Sequence, residues 1–86
     1  MSKIRVLLAD DHSLFREGLR IILDAQPDFE VVGEAGDGLE VVVKAQELEP
    51  DLIVMDVTMP GCDGVEATQQ IMAQFPDMTI VMLTIR

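Results

Sequence analysis

Tryptophan and tyrosine are missing from this chain and phenylalanine occurs only three times, so its core must rest on Val, Ile, Leu and Met. A single cysteine, Cys62, excludes an internal disulfide and a cysteine-rich zinc site. That usage suits a reducing compartment. Basic residues are scarce as well. Six Lys and Arg stand against sixteen Asp and Glu, for a formal net charge of −10. Such a chain repels phosphate backbones and is not expected to bind DNA by itself. No apolar run approaches the length of a membrane span. The opening Met1-Ser2-Lys3-Ile4 lacks the longer apolar stretch of a signal peptide, so the chain reads as cytoplasmic, with no membrane contact.

What is present is apolar residue in quantity. It makes up 49% of 86 residues, enough for the core of one small domain. Ile4 to Ala9 is a nearly continuous apolar run that ends in Asp10-Asp11, as a strand buried on both faces would. From His12 to Ala25 the period becomes helical. Phe15, Leu19 and Ile22, with Leu14, Gly18 and Ile21 beside them, form the expected inward stripe. Arg16, Glu17, Arg20 and Asp24 take the polar side, and Pro27 ends the helix. Phe29 to Ala35 alternates and reads as a strand. Asp37, with Glu40 three residues on, opens a helix that runs to about Leu48 and stops at Pro50.

Leu52 to Met55 is another buried strand, closed by Asp56, with a loop from Val57 to Cys62 after it. Asp63-Gly64-Val65-Glu66 repeats the capping pattern. Val65, Thr68, Ile71, Met72 and Phe75 are the expected inward face of that helix, which Pro76 breaks. Thr79 to Leu83 is a fourth strand. The order βαβαβαβ implies a doubly wound parallel sheet of the α/β class, with helices on both faces and right-handed crossovers. Such sheets bind ligands beyond the carboxyl ends of their strands, where the strand order reverses. Asp10, Asp11, Asp56 and Thr84 all follow strands, so all four are expected on that edge.

Three close carboxylates repel one another, and a divalent cation relieves the repulsion. Oxygen donors argue for Mg²⁺, Mn²⁺ or Ca²⁺ over zinc. On spacing alone a second reading competes evenly: Asp10 and Asp11 cap the first helix while Asp56 opens a turn. His12, the one histidine, reads as a helix-start residue rather than a ligand. The six methionines read as gap fillers or loop residues. Pro60 and Gly61 shape the loop beside Asp56, and Cys62 belongs to the same loop.

Four segments carry a family resemblance: Leu7-Leu8-Ala9-Asp10-Asp11-His12, Ile53 through Gly61, Asp63-Gly64-Val65-Glu66 and Val81-Met82-Leu83-Thr84. In this order they resemble the CheY-like receiver domain of response regulators, over essentially the whole chain. Asp10-Asp11-His12 and Arg16-Glu17-Gly18-Leu19 look more specifically like regulators with a LuxR-type (NarL/FixJ) DNA-binding domain. The resemblance implies a flavodoxin-like fold and a role for each matched position. Asp56 would be the aspartate phosphorylated by a sensor histidine kinase. Asp11 would ligate Mg²⁺ (or Mn²⁺) directly, and Asp10 through water. Asp56 and the backbone carbonyl of Thr58 would complete the protein's ligands. Thr84 would be the switch hydroxyl that turns toward the new phosphoryl group.

Relative to that family's (βα)₅ pattern, residues 1–86 correspond to an N-terminal fragment, incomplete by the last helix, strand and helix, with the DNA-binding domain outside it. The family's active-site lysine has no match, since Lys3 and Lys44 lie elsewhere. The fourth strand is then an uncovered apolar edge, and self-association through it is expected. Two other function classes fit the sequence less well. A Mg²⁺-dependent phosphatase or phosphotransferase would need an acid/base carboxylate just after Asp56, where Thr58 stands instead. The alternative is a pseudo-receiver or inactive fragment, never phosphorylated and acting as a dimerisation or interaction module: the intact Asp10, Asp11, Asp56 and Thr84 argue against it, and the unmatched lysine argues for it.

Overall fold

Val6 to Ala9 is apolar at every position, and in the computed structural model, which describes residues 3–56 and 64–83, all four are buried. They belong to β1 (Ile4–Ala9). The chain continues through α1 (Ser13–Asp24), β2 (Phe29–Ala35), α2 (Gly38–Leu48), β3 (Leu52–Asp56), α3 (Gly64–Gln74) and β4 (Thr79–Leu83). The strands pair in parallel in the order β2-β1-β3-β4. Chain direction across the sheet therefore reverses after β2. With right-handed crossovers, that reversal sends α1 to one face and α2 and α3 to the other. This is the doubly wound, flavodoxin-like arrangement that the alternation of elements implies.

The main core lies under α2 and α3. Leu7, Ala9, Ile53 and Met55 point one way from the two central strands and meet Val41, Val42 and Ala45 of α2 and Ala67 and Ile71 of α3. Leu48, Phe75, Met78 and Ile80 close its margin. The N-terminus of α2 is fixed as the capping pattern predicts. Asp37 accepts a hydrogen bond from the Glu40 amide at 2.8 Å, while the Glu40 carboxylate reaches back to the Gly36 amide at 2.6 Å. α2 ends in a left-handed residue, Glu49, at φ 47° and ψ 60°. Asp51 then ties the start of β3 to β1, accepting from the Arg5 amide at 2.9 Å. The Asp51 amide in turn donates to the Arg5 carbonyl at 2.8 Å.

Two helix faces differ from the sequence expectation. In α1, Leu14 (82% exposed), Ile21 and Ile22 (61%) face solvent, and no residue of the helix is fully buried. The half-buried positions are Phe15, Arg16, Gly18, Leu19 and Leu23. Phe15, Gly18 and Leu19 of the expected stripe do face inward, and Arg16, expected on the polar side, joins them to meet Glu34 of the edge strand β2. In α3, Val65 and Met72 are exposed, whereas Ala67 and Ile71 are buried and Phe75 is half-buried. A four-residue spacing through a small residue lets α3 lie close to α2. The Asp63 cap lies outside the described residues.

β1 and β2 lose register between Val6 and Leu7, with Val32 as the extra residue. β4 is the most open strand, and its Val81 and Met82 are exposed. Among the described residues no helix is long and apolar enough to cross a membrane.

Candidate functional site

The strand order reverses between β1 and β3; Asp10 directly follows β1, and Asp56 is the last residue of β3. Main-chain pairing carries Ala9 beside Met55, so the residues that follow, Asp10 and Asp56, stand side by side at the sheet edge. Both are 3% exposed. Carboxylates are rarely so buried without a partner, and burial on an otherwise apolar strand end marks a functional edge. Asp11 is the next residue and faces solvent.

Asp10, Asp11, His12 and Asp56 each present one ligating atom, and these atoms all lie within 4.8 Å of one another. The residues present suit a small hard cation. Three carboxylates offer oxygen donors from two different strand ends, while β1 and β3 fix the main chain behind them. The buried pair stands behind and the exposed Asp11 in front, which leaves the site open on its solvent side.

Asp10 does not cap α1: it stands two residues before the N-cap, His12, and its Oδ1 accepts from the His12 amide at 2.7 Å, which shapes the turn leading into the helix. His12 occupies the N-cap position as expected of a helix-start residue, yet its side chain makes no capping bond. The ring instead sits in the carboxylate cluster, with Nδ1 3.1 Å from both Asp10 Oδ1 and Asp11 Oδ1. Only the spacing Asp-Asp-His hinted at that. Thr58, Pro60, Gly61, Cys62 and Thr84 lie outside the described residues. Of the expected site, Asp10, Asp11 and Asp56 come together.

Arg16, expected on the polar side of the first helix, was given no part in the site. It lies on the first turn of α1, where its guanidinium donates to the Asp10 main-chain carbonyl and, from Nε, to Glu34 Oε1 at 2.9 Å. A charged residue inside the alternating strand Phe29–Ala35 was the available signal, since Glu34 needs a cation where β2 meets α1.

Comparison with known proteins places this geometry. Residues 6–86 match the model of the response regulator receiver domain. The transcriptional regulatory protein LiaR of Bacillus subtilis is 57% identical over 81 residues, covering 94% of this chain and 38% of LiaR. The chain thus spans well under half the length of this curated relative. Among solved structures, the response regulator domain of Thermotoga maritima CheB superposes with a TM-score of 0.91 at 48% identity, over 95% of this chain and 60% of that one. The receiver domain of NarL from Mycobacterium tuberculosis gives 0.93 at 32% identity, over 98% and 68%. The chain belongs to the response regulator receiver domain family, among receivers of the LuxR/NarL type.

Proposed function

We propose that Asp56 is the phospho-acceptor of this receiver domain and takes its phosphoryl group from the phosphohistidine of a sensor kinase. One observation carries the reading. Asp56 is buried at the carboxyl end of β3, with ligating atoms of Asp10 and Asp11 within 4.8 Å. Asp10, Asp11 and Asp56 would hold Mg²⁺ (or Mn²⁺), with the backbone carbonyl of Thr58 as a further ligand. When bound, the cation offsets the negative charge that gathers where a phosphoryl group meets a carboxylate.

The chain's own residues supply the rest. Asp56 is the carboxylate nucleophile: its oxygen forms the new bond to phosphorus as the bond from phosphorus to the donor's imidazole nitrogen breaks. Burial of the Asp56 and Asp10 side chains keeps bulk water from their inner sides. β1 and β3 hold the two strand ends in fixed register, so little ordering remains to be done at the moment of transfer. Thr84 would supply the hydroxyl that senses the phosphorylated state. The chain is no enzyme in the ordinary sense, since the group it helps to phosphorylate is its own.

In the whole protein this receiver would govern a C-terminal DNA-binding domain and thereby transcription, in the cytoplasm. Chains would also associate through β4, where Val81 and Met82 are exposed.

The test is intact mass after incubation with acetyl phosphate and Mg²⁺, for the wild-type chain and Asp56→Asn. The expected result is one phosphoryl-sized, base-labile gain that needs Mg²⁺ and vanishes in Asp56→Asn. A gain that survives in Asp56→Asn would refute the assignment. No gain in either chain would favour the alternatives, a pseudo-receiver or a fragment inactive without the family's lysine.

A further inference from the structure

Residue 10 is tied to β2 on both sides of its side chain. Its amide donates to the Ala35 carbonyl at 3.0 Å. Its carbonyl accepts from Nη1 of Arg16, whose Nε donates to Glu34 Oε1 at 2.9 Å. Glu34 is itself held, because its second oxygen accepts from Arg20 Nη1 at 2.8 Å. Arg20 leans on Asp24, at 3.7 Å, and Asp24 accepts from the Val31 amide at 3.1 Å. A chain of polar contacts therefore runs from the strand end that carries Asp10 to the far end of α1. Arg16 is the link that touches the site.

The chemistry selects arginine here. Its planar head sends two donors in fixed directions to two acceptors on different elements, which a lysine ammonium cannot do with the same geometry. The Arg16 side chain is 21% exposed and that of Arg20 54%. Both grip the same carboxylate, yet only Arg16 reaches residue 10. Arg20 is thus a built-in comparison for the stabilising part of the interaction.

We propose that Arg16, backed by Glu34, is a positioning residue of the carboxylate site: it fixes the main chain of Asp10, so that the Asp10 side chain stays aimed at Asp11 and Asp56 and a divalent cation meets a ready-made set of oxygens. The inference rests on reading those three aspartates as the cation site. Residues behind metal ligands commonly set affinity in this way. A guanidinium acting through its charge alone would oppose a cation, so its removal would tighten binding. Positioning predicts the opposite sign.

The experiment is a Mn²⁺ titration of the full chain, reading free Mn²⁺ by electron paramagnetic resonance, for wild type, Arg16→Met, Arg16→Lys and Arg20→Met. Melting temperatures are measured on the same samples. Arg16→Met should weaken Mn²⁺ binding about tenfold, with Arg16→Lys close behind. Arg20→Met should bind as wild type does, even where it melts earlier. If Arg16→Met does not fold, Arg16→Lys decides. Wild-type affinity or tighter binding in the Arg16 variants would overturn the inference and leave the cation site standing. So would weakening in Arg20→Met equal to that in the Arg16 variants, since that marks general loosening. A wild-type chain that binds no Mn²⁺ would overturn the cation site itself, and the inference with it.

Discussion

Replacing Glu49 by glycine should stabilise the domain. Glu49 closes α2 at φ 47°, and among the described residues it is the only non-glycine with a positive φ. A side chain there brings Cβ against the following carbonyl, at about 1–2 kcal/mol. Pro50 comes next, and its ring crowds the Cβ of the residue before it. The bonds that hold the turn are main-chain ones and survive the substitution: the Glu49 amide to the Ala45 carbonyl at 3.0 Å, and the Glu49 carbonyl from Arg5 Nη1 at 3.1 Å. Against the relief stands the greater freedom of glycine in the unfolded chain, about 0.5–1 kcal/mol. The net gain is about 0.5–1 kcal/mol, which for a domain of this size raises the melting temperature by about 2–8 °C. With no Trp or Tyr to report on packing, the melt is best followed by far-UV circular dichroism. Glu49→Ala keeps the Cβ and should melt within the small range of neutral surface changes. A Glu49→Gly chain that melts at or below wild type, or a rise shared by Glu49→Ala, would refute left-handed strain as the cause.

Ile71 is 1% exposed in the core beneath α3, so Ile71→Ala should cost about 2–5 kcal/mol, read as a lower urea midpoint at unchanged slope. A loss within the range of surface changes would show that α3 does not pack as described. Asp37→Ala removes the acceptor that caps α2 and should cost about 1 kcal/mol, while Asp37→Asn keeps most of it. Equal losses in the two variants would point away from the cap. Asp56→Asn should remove every phosphoryl gain from acetyl phosphate and leave the fold intact by circular dichroism, since an amide fits the space of the carboxylate.

Strand positions were legible because buried parallel strands have one requirement, a short run of apolar side chains. The apolar runs of β1 and β3, the alternation of β2 and the residues of β4 lie where the sequence placed them. Order and handedness then follow from topology, which also brings Asp10 and Asp56 to one edge. Helix faces were less legible. Arg16 lies inward against Glu34, and a periodicity read along a single segment does not contain that long-range pair. Ala67 in α3 was missed because a small residue scores weakly as apolar, although close helix packing asks for one. At the site, the carboxylates could be read from their strand ends and the clamp behind them could not. A clamp is a relation between residues on α1 and β2: Glu34 within its strand hinted at a cation partner, but nothing along the chain said that the partner was Arg16 or that it reached residue 10.

The most direct test of Asp56 as the acceptor is to find the phosphoryl group on it. The chain is treated with acetyl phosphate and Mg²⁺, the acyl phosphate is reduced with borohydride, and the product is mapped by tandem mass spectrometry. Homoserine at position 56 alone is the predicted result. Homoserine at Asp10 or Asp11, or a chain phosphorylated somewhere other than Asp56, would contradict it.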